Sequence, residues 1–364
     1  MRMLTEHNIE DLALGAAVLG TGGGGDPYLG KLMAIAAIRK HGPVKLLSLD
    51  EIGDDDLIVP SAMMGAPTVM VEKIPNGLEI VSAFKAVGNY IARPIAATMS
   101  IEAGGLNSVM PVSVAAEMGL PLVDCDGMGR AFPELQMVTH TIFGISATPM
   151  AMADEKGNAA LINTIDNRWT ERFARSITVD MGGSALIALY AATGKQLKEL
   201  AVRGTITYAE EIGKTVRRAR QEEADPVDAV RRVTKGLLVF KGKIVDLQRR
   251  TVGGFARGEA HIDGLDEYSG SRLEIHFQNE HLVAIRDGQY VATVPDLIAV
   301  LDIDTGEPIT TEGLRYGFRV AVIAMPCDAR WRTPKGLELV GPRYFGYETD
   351  YVPMEKRLGQ AGLS

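Results

Sequence analysis

Residues 94–126 read PIAATMSIEAGGLNSVMPVSVAAEMGLPLVDCD, and the parsing of this stretch decides the fold. PIAATMSI (94–101) is a continuous run of apolar and small residues, the pattern of a strand buried on both faces. PVSVAAEMG (111–119) reads as a helix closed by its glycine. LPLVDCD (120–126) is a second buried-strand candidate. Strand, helix and strand in this order make the parallel crossover unit of an α/β domain.

The same alternation extends outward on both sides. DDDLIVPSAM (54–63) reads as a strand and EIVSAFKAVGNYI (79–91) as a helix. PMAMADEKGNAALINTI (149–165) reads as a hairpin turning at Lys156-Gly157-Asn158. Helix is expected over 168–175, then a strand at SITVDMGG (176–183), then helices from about residue 185 to 235, the last begun by Pro226. Beyond Leu237 the chain turns to alternating, turn-punctuated strands, with Asp287-Gly288 and Thr305-Gly306 as hairpin turns. The expectation is an α/β fold: an N-terminal α/β domain (1–168) with a mostly parallel or mixed sheet, then a C-terminal domain (169–364), helical to about 235 and β-rich after it.

Composition narrows the class. The 364 residues are 46% hydrophobic and 23% charged, with a net charge of −8, as expected of a globular protein with a large core. The arginines 217, 218, 220, 231 and 232 alternate with Glu210, Glu211, Glu222 and Glu223, a solvated helical face rather than a nucleic-acid patch. No apolar run is long enough to span a membrane, and two cysteines suit a reducing cytoplasm. Cys125 lies between Asp124 and Asp126, which disfavour its thiolate.

Three loops combine glycines with acids. LGTGGGGDPYLG (19–30) carries Gly22, Gly23, Gly24 and Gly25 into Asp26-Pro27. Thr5 caps a helix before it, and Asp26 caps one after it that Gly42 closes, so it joins two helices. It lacks the preceding strand of a dinucleotide fingerprint and the Lys-Ser/Thr of a phosphate loop. MSIEAGGLNS places Glu102, Gly104, Gly105 and Asn107 at a strand end, and VDCDGMGRAFPE places Asp124, Asp126, Arg130 and Glu134 at another. Ligands of α/β sheets bind at such ends. Acids there could share a proton, position water or hold a divalent cation; each could also cap a helix or pair with Arg130. Asn279 and Glu280 in FQNEHLVA could reach an interdomain cleft. The strand expected before Asp180-Met181-Gly182-Gly183-Ser184 gives that stretch a likeness to the phosphate loop of actin-type ATPases, without a second such loop or an adenosine motif.

Together LGTGGGGDPY, IEAGGLNS, DCDGMGRAFPE, FQNEHLVA, VPDLI and VGPRYFGYETDY resemble the hydantoinase/oxoprolinase-associated proteins that include S-methyl thiohydantoin desulfurases. The resemblance runs from about residue 7 to 353 and implies two domains and hydrolysis at a five-membered ring carbon bearing a methylthio group. Chemistry assigns Asp124 or Asp126 as base and Glu102 as its partner, with Arg130 orienting substrate and the glycine loop donating N–H groups. Asp26 at the edge of the glycine loop, with Gly104, Gly105, Asn107, Glu134, Asn279 and Glu280, completes the expected site. The expected partner is a small-molecule substrate, not a nucleotide, nucleic acid or membrane. Metal content and homo-oligomerisation are left open. An ATP-using enzyme or a noncatalytic subunit is the alternative.

Overall fold

The computed structural model describes residues 1–65, 69, 73 and 78–360. Its first sheet is built largely before residue 165: β1 (Arg2–Leu4), β2 (Val44–Leu47), β3 (Leu57–Gly65), β4 (Ala97–Ser100), β5 (Leu122–Val123), β7 (Met150–Ala153) and β8 (Ala159–Ile162). Two later strands, β9 (Ser184–Ala188) and β10 (Ala192–Thr193), join it, giving the order β1-β2-β5-β4-β3-β9-β7-β8 with β10 paired to β3. The contacts β2–β5, β5–β4 and β4–β3 are parallel and all others antiparallel, so the sheet is mixed around a parallel centre. A short pair, β6 (Cys125–Asp126) with β11 (Val202–Arg203), lies beside it.

Helices α3 (Leu78–Ile91) and α4 (Leu106–Met118) pack on this sheet, and α1 (Glu6–Leu19) and α2 (Pro27–His41) pack against α4. Asp26 caps α2 by accepting from the Tyr28 amide, Pro27 fills its first position and Gly42 ends it at φ 95°. Sequence and structure agree on this helix–loop–helix connection.

The strand expected at 176–183 is instead the end of α5 (Asn167–Asp180). Asp166 caps that helix through the Trp169 amide, and the buried Thr170, Glu171, Ala174 and Thr178 fall on one helical face. Ile177, Thr178 and Val179 look strand-like by composition but occupy the last turn, which Gly182 and Gly183 close at φ near 90°. Without a strand before Asp180, the likeness to an ATPase phosphate loop loses its basis. The wholly helical reading of 185–235 is likewise corrected to β9, β10, α6 (Gly194–Leu200), β11, α7 (Thr205–Gln221) and α8 (Pro226–Thr234). Helix α7 crosses α1 at backbone contact: a Cβ on Gly15 would lie 1.7 Å from the Ala209 carbonyl oxygen, and one on Gly213 1.9 Å from that of Asp11.

The second sheet is antiparallel throughout, in the order β16-β15-β14-β13-β12-β18-β17. Its strands are β12 (Leu237–Val252), β13 (Phe255–Gly264), β14 (Arg272–Gln278), β15 (Glu280–Arg286), β16 (Gln289–Thr293), β17 (Leu297–Asp302) and β18 (Arg319–Met325). The sheet curls, because His281 of β15 reaches across to the Ile298 carbonyl of β17 at 2.8 Å. Asp287 and Gly288, with φ of 49° and 79°, make the two-residue hairpin turn that the sequence expects. No helix among the described residues is long and apolar enough to cross a membrane.

Candidate active site

The glycine loop is one of the places where the two halves of the chain meet. Thr21, Gly22, Gly24 and Gly25 all have φ between 51° and 90°. A Cβ on Gly24 would fall 2.5 Å from the Gly104 carbonyl oxygen, and one on Gly105 2.5 Å from the Gly24 carbonyl carbon, so two glycine loops pack backbone against backbone. Loop carbonyls receive the first amides of α4, with Leu106 N–H donating to Gly25 at 3.2 Å and Asn107 N–H to Gly24 at 3.4 Å. On its other side the loop is stitched to the C-terminal domain: His281 N–H donates to Thr21 O and Thr311 N–H to Gly22 O, both at 2.8 Å.

Beside this junction lies a cleft of about 690 Å³, its open mouth included. Much of its wall is apolar, Met64, Ile101, Phe132, Leu135, Ile187 and Leu189 among it. Into it the fold brings Glu102, two residues beyond β4, and Glu280, the first residue of β15. Asn107 donates to Glu102 Oε1 at 2.6 Å and clamps the Met63 backbone, accepting from its N–H at 2.7 Å and donating to its carbonyl at 3.0 Å. Asn107 thus fixes Glu102 against the end of β3. Glu280 Oε1 accepts from the Gly24 amide at 3.2 Å, and a Cβ on Gly23 would lie 2.0 Å from that oxygen. Neither Glu102 Oε2 nor Glu280 Oε2 has a hydrogen-bond partner among the described residues.

Burial pushes the Glu102 carboxyl up to about 8, with the Asp126 charge adding to the shift. Glu280 is pushed well above the ordinary carboxylate range by burial first and the Glu102 charge second. Two carboxyls that resist ionisation together in one apolar cleft are suited to holding and passing a proton.

The other expected site residues separate around this pair. Gly24, Gly25, Asn107, Glu134 and Asn279 line the cleft. Gly22 packs on His281, and Gly104 packs against Gly20 and Ala131 behind the loop. Asp124 lies outside the cleft lining and caps a helix: it accepts from the amides of Ile206 and Thr207 at 2.9 and 3.1 Å and from the Thr207 hydroxyl at 2.5 Å. Asp126 lies behind Glu102, outside the cleft wall, where the amides of Met128 and Gly129 hold it at 2.9 and 2.7 Å. Asp26 faces a different hollow, alongside Lys31 and Arg217. Arg130 is fully buried, its guanidinium over the Phe132 ring, and it is not among the residues that line the cleft. Glu134 accepts from the Tyr344 hydroxyl at 2.7 Å.

Sequence reasoning missed Glu171 and Arg175, which line the cleft as a pair at 2.7 Å. Their i,i+4 spacing is that of any solvated helical pair, so only the tertiary structure distinguishes them. Both cysteines are buried and outside the cleft. Burial raises the Cys125 thiol well above its ordinary value, with Asp126 and Asp124 adding to it. Among the described residues no group of three or more His, Cys, Asp or Glu side chains is placed to hold a metal ion.

Residues 7–164 match the family model for the S-Me-THD-like N-terminal domain, and residues 165–354 that for the S-Me-THD-like C-terminal domain. The crystal structure of a protein from Chromobacterium violaceum is similar at TM-score 0.81 and 27% identity, covering 97% of this chain and 100% of its own. No curated protein matches the sequence. The two domain matches, end to end along a chain whose glycine loops, cleft and paired carboxyls they span, place the protein in the S-Me-THD-like family, that of the S-methyl thiohydantoin desulfurases.

Proposed function

We propose that the protein is a hydrolase that removes the methylthio group from an S-methyl thiohydantoin-type ring. The observation that carries this reading is the carboxyl pair: Glu102 and Glu280, both buried, each keep one oxygen without a partner at the same apolar cleft. The apolar side chains beside the two acids suit a flat, small ring, and the reaction needs one base and one acid.

The ionised member of the pair takes a proton from water as its oxygen bonds to the ring carbon of the C=N bond. The displaced electron pair moves to the ring nitrogen, which is protonated by the other member. The tetrahedral intermediate then gives its hydroxyl proton to the member that has just become ionised. As C=O forms, the C–S bond breaks and methanethiolate takes the remaining proton. Water is consumed, methanethiol and the ring carbonyl are produced, and the pair returns to its starting state with one proton.

Acid–base groups of this kind contribute about 10²–10⁴-fold each. The test is methanethiol release from S-methyl thiohydantoins, with the parent thiohydantoins and hydantoins as controls. Glu102→Gln and Glu280→Gln should each lower kcat by about 10²–10⁴-fold with the fold intact. If both variants kept wild-type kcat, the pair would not be the acid and base. If no substrate of this class were turned over while the protein co-purified tightly with another chain, a noncatalytic subunit would be the better reading.

A further inference from the structure

Asn279 is the single residue between β14 and β15, directly before Glu280, and its φ is 59°. Asparagine is among the few side chains that tolerate this left-handed region, and its own hydrogen bonds hold it there. The backbone N–H donates to Ala256 O at 2.7 Å, and the side-chain Oδ1 accepts from Ala256 N–H at 2.8 Å. Its carbonyl accepts from the Thr311 hydroxyl at 2.8 Å, and Thr311 N–H is tied in turn to Gly22 of the glycine loop.

The remaining polar atom, Nδ2, has no acceptor among the described residues. Its direction is not free. Ala256 N–H can face only the oxygen of the amide, so Nδ2 is turned away from β13. Asn279 is 8% exposed and lines the cleft. A nearly buried donor without an acceptor costs stability, and a ligand oxygen in the cleft removes that cost.

The other polar groups of the cleft show which oxygen it suits. Asn107 is fully used, its Oδ1 by Met63 N–H and its Nδ2 by Met63 O and Glu102. Arg175 is paired with Glu171 at 2.7 Å. Glu102 and Glu280 are the acid and base of the proposed reaction. A hydantoin-type ring brings, besides the carbon at which water adds, a carbonyl oxygen that can only accept. An uncharged N–H donor matches that oxygen, whereas a carboxylate repels it.

We propose that Asn279 is a specificity-determining residue: its Nδ2 donates to the ring carbonyl that the reaction leaves unchanged, and so turns the carbon bearing the methylthio group toward the two glutamates. This rests on the hydrolase reading above, but its test is equilibrium binding rather than turnover. The probes are hydantoin and the cyclic urea imidazolidinone, which keeps the carbonyl at the reacting position and lacks the other. In calorimetric titrations wild type should bind hydantoin about 5–50-fold more tightly than the cyclic urea. In Asn279→Asp, which keeps an acceptor for Ala256 N–H but loses the donor, that preference should shrink to about twofold or less. Asn279→Gly, which keeps the backbone conformation and loses the whole amide, should shrink it equally. The two variants disturb charge and packing differently, so a change common to both belongs to Nδ2. A residue with only a structural task would lower Tm and leave the preference intact, and a wild-type ratio in either folded variant would overturn the proposal. Equal binding of the two rings by wild type would overturn it without any variant. Binding of neither ring by wild type would refute the ring-ligand reading of the cleft, and this proposal with it.

Discussion

Gly23 lies outside the positive-φ region that its neighbours Gly22, Gly24 and Gly25 occupy. An alanine there asks nothing unusual of the backbone, but its methyl would sit 2.0 Å from Glu280 Oε1 and displace the carboxyl. Gly23→Ala should therefore cost on the order of 10²-fold in kcat/KM, the penalty of a misplaced reacting group, with little change in Tm. Gly24→Ala combines φ of 79° with a 2.5 Å clash on Gly104, and should destabilise by about 1–3 kcal/mol as well. Wild-type kinetics in both variants would reduce the loop to a connector. Glu102 supplies a second check. Its carboxyl is raised to about 8 in the folded protein against an ordinary 4.5, so the folded state holds the proton more tightly. That contribution to stability is complete below about pH 4.5 and is lost as pH rises to about 8. Tm should fall across this window in wild type, and less steeply in Glu102→Gln. An equal slope in both would show that Glu102 does not carry the linkage.

At the scale of elements, local signals were legible where local physics decides. Asp26-Pro27 opening α2, Gly42 closing it and the crossover 94–126 follow from capping and periodicity. The segment 176–180 misled because Ile177, Thr178 and Val179 are β-branched, while the burial pattern of the whole helix, which settles the matter, depends on tertiary neighbours. The capping contact of Asp124 was illegible for a related reason: it lies on α7, some eighty residues away in sequence, and no spacing announces it. Asp124→Ala should lower stability by about 0.5–2 kcal/mol and leave kcat/KM unchanged, measured by urea unfolding beside steady-state kinetics. A matching loss of turnover would return Asp124 to the chemistry. The α1–α7 crossing is stricter still. Gly213→Ala has no room against the Asp11 carbonyl and should cost about 1–3 kcal/mol or more through overpacking.

For the whole molecule, the sequence pointed to strand ends rich in acids but could not say which acid meets which. Glu102 and Glu280 come from opposite halves, and beside the cleft those halves are joined by non-local backbone contacts of Thr21, Gly22, His281 and Thr311. The halves are also interleaved, because β9 of the second half lies between β3 and β7 of the first. Residues 1–164 expressed alone should lack a cooperative melt and all turnover. A folded, active fragment would contradict both the sheet order and the split pair. This division has a bearing on synthesis. At about 5–20 residues per second, Glu280 leaves the ribosome roughly ten seconds or more after Glu102. A nascent or prematurely terminated chain then carries one acid without its counterpart, and on the proposed chemistry it is inert rather than half-active. Turnover would therefore report completed translation and correct docking together, a property that a site made from a single half would not have.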